Sequence, residues 1–210
     1  MTQSELLAQV AEKKIVPVVK LDRVEDAKPL CEALCAGGLP VAEITFRTDA
    51  AEESIRTVSK AFPEMLVGAG TVTNVEQAKR ALDAGAKFLV SPGFSCKVTE
   101  FAVDNDVMIF PGTCTPTEVM LAMEYGLPVV KFFPAKQYGG LDTIKALAAP
   151  FPAMKFMPTG GVSAANIQEF LSFDKIIACG GSWMVKDNFV KEGNFAEIQR
   201  LTAEAVGLVK

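Results

Sequence analysis

Short β-branched runs alternate with amphipathic helical patterns along nearly the whole chain, and this alternation is the strongest constraint on its fold. The runs occupy 15–20, 41–46, 65–72, 87–93, 107–113, 128–135, 153–160 and 175–182. Between them lie segments such as VEDAKPLCEALCAGG, AEESIRTVSKAF, NVEQAKRALDAGA and TPTEVMLAMEYG. Several open on Ser, Thr, Asp or Asn and end near Gly, as helix capping requires. Strands separated by helices pair in parallel through right-handed crossovers. Eight such units predict a single α/β domain over 1–210, a (β/α)₈ TIM barrel with an extra N-terminal helix over 2–12. An open doubly wound sheet is the alternative.

Composition narrows the chemistry. Half of the 210 residues are apolar, enough for a sizeable core, and the net charge is −4 without a run of either sign. That balance points away from nucleic-acid and membrane partners. The N-terminal segment lacks a signal-peptide core and no apolar run reaches spanning length, so a cytoplasmic location is expected. Five scattered cysteines without a CxxC pair read as core thiols in a reducing compartment. There is no histidine. With the commonest general base and zinc ligand missing, proton transfer falls to Asp, Glu, Lys, Tyr, Cys or water, and no metal or cofactor is expected.

In a barrel the chemistry belongs at the C-terminal strand ends. Side-chain alternation in VAEITFR puts Glu43, Thr45 and Arg47 on one face and Ala42, Ile44 and Phe46 on the other. The apolar set suits the helix layer, so the polar set turns inward. The same reasoning in PVVKFFPA turns Val129, Lys131 and Phe133 inward, with Val130 and Phe132 against helices. A self-satisfied ion pair, or a lysine snorkelling to water, is the plain alternative. Lys20 and Lys155 occupy comparable strands and are read that way. For Lys131 the chemical reading is sharper. Desolvation among Val and Phe disfavours the ammonium, leaving a nucleophilic amine that can form a Schiff base with a ketone. Glu43 is then the candidate acid/base. PTGGVS and CGGSW end the last two strands, where backbone amides of glycine loops can bind phosphate.

Taken together, VAEITFRT, VGAGTV, SPG, FPGTCTPTE, VVKFFPA, PTGGVS and GGSW are similar to the class I bifunctional aldolase family. Its members act on 2-keto-3-deoxy-6-phosphogluconate (KDPG) and 4-hydroxy-2-oxoglutarate (KHG). The resemblance covers about residues 15–185. It implies a homotrimeric barrel that cleaves KDPG to pyruvate and glyceraldehyde 3-phosphate. It also implies a Schiff base on Lys131, acid/base work by Glu43, and carboxylate binding by Arg47 and Thr71. Pro92 and Phe133 would line the pyruvate pocket, and Gly160, Gly161, Gly181 and Ser182 would bind phosphate. An aldolase for the galactonate epimer, a phosphosugar isomerase or epimerase, and a non-catalytic phosphometabolite-binding barrel are the competing readings.

Overall fold

The computed structural model describes residues 2–210. Nine strands carry the sheet: β1 (Ile15–Val19), β2 (Val41–Thr45), β3 (Leu66–Gly70), β4 (Phe88–Val90), β5 (Met108–Phe110), β6 (Gly112–Thr113), β7 (Val129–Phe132), β8 (Lys155–Pro158) and β9 (Cys179–Gly181). The helices are α1 (Gln3–Lys13), α2 (Ala27–Ala36), α3 (Ala51–Ala61), α4 (Val75–Asp83), α5 (Cys96–Asp104), α6 (Pro116–Glu124), α7 (Gly140–Ala148), α8 (Ile167–Leu171), α9 (Asp187–Lys191) and α10 (Phe195–Val209).

Every pairing is parallel, as helical crossovers demand. One sheet runs β5-β4-β3-β2-β1-β9 and another β6-β7-β8. Parallel bridges from Phe156 to Ile176 and from Thr159 to Gly180 connect the β8 side to the β9 side. The result is an α/β fold on a curled parallel sheet.

The strand expected over 107–113 is interrupted at Pro111, which has no N–H for the ladder. Its carbonyl still accepts from the Lys131 N–H at 2.9 Å, so the break leaves β7 anchored. The expected strand over 175–182 narrows to Cys179–Gly181, with Ile176 contributing only a bridge. The N-terminal helix forms as expected, and Thr2 and Glu5 cap it reciprocally. Its Leu6 and Val10 turn into the core.

Both faces of β2 and β7 are buried. Ala42, Ile44, Val130 and Phe132 are fully buried. No helix among the described residues is long and apolar enough to cross a membrane.

Candidate active site

All five residues of β2 are buried, including Glu43. β2 pairs only with β1 and β3, and β7 only with β6 and β8, yet Lys131 Nζ lies 3.4 Å from Glu43 Oε1. Side chains on non-neighbouring strands meet only if both point into the hollow of a curled sheet. Their side chains are 6% and 1% exposed. Few buried positions are costlier. Desolvating two charges commonly costs as much as their attraction returns, so hydrophobic packing would serve the fold equally well. Glu43 Oε2 is also buried without a hydrogen-bond partner.

The neighbours fit this pair. The Phe133 ring centre is 5.2 Å from Lys131 Nζ, so an aromatic face covers the amine. Gly70 makes room for the carboxylate, because a methyl group there would collide with Glu43 Oε1. Thr113 Oγ1 donates to the Lys131 carbonyl at 3.3 Å, across the β6–β7 pairing.

Arg47 leaves β2 exposed, but its start is fixed. Its Nε donates to Thr45 Oγ1 at 3.0 Å, and Thr45 Oγ1 donates to the Val19 carbonyl at 2.9 Å. Just after β3, Thr71 has φ 57. A β-branched residue in the left-handed region is a strained outlier of the kind that gathers at functional sites. Pro92 follows β4 and is half-buried.

A cavity of about 170 Å³ lies at the ends of β1, β2, β7, β8 and β9. Arg47, Phe133, Gly160, Gly161, Gly181 and Ser182 line it, together with Val18 and Thr159. Gly160 and Gly161 have φ of 98 and 76, a conformation that favours glycine. Asn166 steadies the loop by donating to the Gly161 carbonyl at 3.0 Å and accepting from the Ser163 N–H at 2.8 Å. Thr159 Oγ1 is buried without a partner beside this cavity.

The structure therefore joins six of the expected residues around one cavity, and Phe133 links that cavity to the Lys131–Glu43 pair. Thr71 and Pro92 do not line the cavity and stand at the ends of β3 and β4. A wider space of about 550 Å³ between α1, α8 and α10 holds Lys14 and Gln168 but no buried ion pair, so volume does not mark the chemistry. Sequence reasoning turns Thr45 inward without giving it a role, and it passes over Thr159. Thr45 carried a signal, since it alternates inward between Glu43 and Arg47. Thr159 was hidden inside a motif read for its glycines.

The sequence profile of the KDPG and KHG aldolases matches residues 6–201. A 2-dehydro-3-deoxy-phosphogluconate aldolase of Treponema pallidum is 44% identical over 196 residues, which cover 93% of each chain. The KDPG aldolase of Legionella pneumophila, crystallised with pyruvate captured as a covalent carbinolamine, superposes with a TM-score of 0.92. It is 36% identical, and the match covers 95% of this chain and 97% of that one. The Zymomonas mobilis enzyme crystallised with 3-phosphoglycerate superposes with a TM-score of 0.89 at 38% identity, over 96% and 95% of the two chains.

Proposed function

The chain belongs to the KDPG and KHG aldolase family, and from that premise we propose that it is a class I aldolase cleaving KDPG to pyruvate and glyceraldehyde 3-phosphate. KHG, cleaved to pyruvate and glyoxylate, is its second substrate. The observation that carries this reading is the buried Lys131–Glu43 contact at 3.4 Å, an amine and a carboxyl held together away from water.

The reaction runs on these two groups. Lys131 gives up a proton to Glu43, and its amine attacks C2 of the keto acid to give a carbinolamine. Glu43 returns a proton to the departing hydroxyl, and water leaves as the iminium forms. Glu43 then removes the C4 hydroxyl proton. The C3–C4 bond breaks, its electron pair moves onto the iminium as an enamine, and the aldehyde departs. Protonation of the enamine at C3, again through Glu43, precedes hydrolysis to pyruvate.

The surrounding residues hold the substrate. Arg47 and Thr71 bind the carboxylate, the guanidinium bidentately. Pro92 and Phe133 pack on the pyruvate moiety, and the amides and hydroxyl of Gly160, Gly161, Gly181 and Ser182 receive the phosphate. No cofactor takes part. The curled sheet is read as a closed (β/α)₈ barrel, one domain over 1–210, supported by the bridges on the β8–β9 side. A cytoplasmic homotrimer completes the reading.

Borohydride reduction in the presence of pyruvate tests it. One adduct should form, on the peptide containing Lys131. A label on Lys20 or Lys155 would overturn the assignment.

A further inference from the structure

The loops that receive the phosphate offer amides and one hydroxyl, all neutral donors, to a group that carries close to two negative charges at neutral pH. A cation within reach would discriminate phosphorylated from unphosphorylated substrates far better than neutral donors alone. Arg47 lines the cavity itself but is committed to the carboxylate, whereas Lys20 lines a separate cleft with Asp22, Arg23, Asp26, Asp187 and Lys191 and would reach the phosphate by turning out of it. Lys20 directly follows β1 and alternates onto the same side as Val18, which lines the cavity. Pro17 pairs with Gly181, so β1 runs alongside the strand that leads into Ser182.

The ammonium of Lys20 is held by carboxylates, not by the core. Asp22 lies 2.6 Å away and Asp187, at the start of α9 beyond Ser182, 3.8 Å away. Lys191 approaches the other oxygen of Asp22 at 3.7 Å, and Arg23 pairs with Asp26 at 2.8 Å. Arg47 is near enough for its charge to oppose that of Lys20. Lys20, Arg23 and Lys191 thus pair with Asp22, Asp26 and Asp187, three against three, with Arg47 and Glu25 adding one charge of each sign nearby. The Lys20 side chain is 27% exposed, so an incoming anion can reach it.

We propose that Lys20 is the cation of the phosphate subsite, turning from Asp22 toward the substrate phosphate and so setting the preference for phosphorylated keto acids. This rests on the aldolase reading above. Asp22 is then a holder that keeps the ammonium poised while the site is empty.

The test is the ratio of kcat/KM for KDPG to that for KHG, which carries no phosphate. Lys20→Met keeps the aliphatic stem and should lower the ratio about tenfold, mainly through KM, as expected for losing a hydrogen bond to a charged group. Lys20→Arg should restore most of it. Asp22→Asn, which frees the ammonium, should leave the ratio at or above the wild-type value. An unchanged ratio in Lys20→Met would overturn the proposal. So would an Asp22→Asn ratio as low as that of Lys20→Met, because Lys20 would then merely tie the network together. Failure of the wild-type protein to cleave KDPG would instead overturn the aldolase reading itself.

Discussion

Glu43 and Lys131 are costly for the fold, and the chemistry proposed above is what would require them. Isolated charges are almost never buried, and Glu43 has one oxygen against Lys131 and the other unpartnered. Such an oxygen is suited to a substrate hydroxyl or a relaying water. Glu43→Gln keeps the shape but cannot shuttle a proton, so kcat should fall by about 10²–10⁴. Far-UV circular dichroism should remain that of the wild type. Deuterium exchange at the methyl of pyruvate isolates the enamine step. Exchange at the wild-type rate in the variant would show that the proton travels by another group.

At the scale of elements, strand β7 is held partly by its neighbour β6 and by the helix start into which β6 leads. Thr115 and Glu118 form a capping box at the start of α6, with Pro116 at the first helical position. Glu118 Oε2 accepts from the N–H groups of Cys114 and Thr115 at 2.8 and 2.9 Å and from Thr115 Oγ1 at 2.7 Å. Partial burial works against ionisation of Glu118, but these hydrogen bonds outweigh it and hold the carboxyl below its usual range. Because the folded pKa is depressed, the stabilisation is complete above the unfolded value and is lost as pH falls through the folded one. Glu118→Ala should therefore cost about 1 kcal/mol in urea unfolding at neutral pH. As the pH falls below the ordinary glutamate range the gap from wild type should narrow, since the wild type progressively loses the same contribution. A gap of equal size throughout would mean that packing, not the cap, is responsible.

Across the described residues few large apolar side chains are exposed, but Met120 and Met123 are 54% and 46% exposed one turn apart on α6. Val103 on α5 is also exposed. Large side chains of this kind, left uncovered together, are what an oligomer interface hides. The homotrimer proposed above would have three times the 22.4 kDa mass of one chain in light scattering. Met120→Glu with Met123→Glu should shift the mass toward a single chain if α6 lies in the interface. A wild-type mass of one chain would refute the trimer.

Much of this protein is legible in local pattern. The strand–helix alternation is a property of short windows, and so is the period-two rule that turned Glu43 and Lys131 to the same side as other inward positions. The family motifs are equally local, which is why candidate site residues can be named one by one. What the tertiary structure decided are relations over distance. Residues 88 positions apart meet at 3.4 Å only because the sheet curls. Gly70 proves to be the space for a carboxylate on the neighbouring strand, and Thr71 proves to be left-handed. Lys20, which its strand pattern presents as a spectator, acquires Asp187 as a partner from the far end of the chain. A sequence window records which way a side chain points, but which atoms it meets depends on how the whole sheet closes around it.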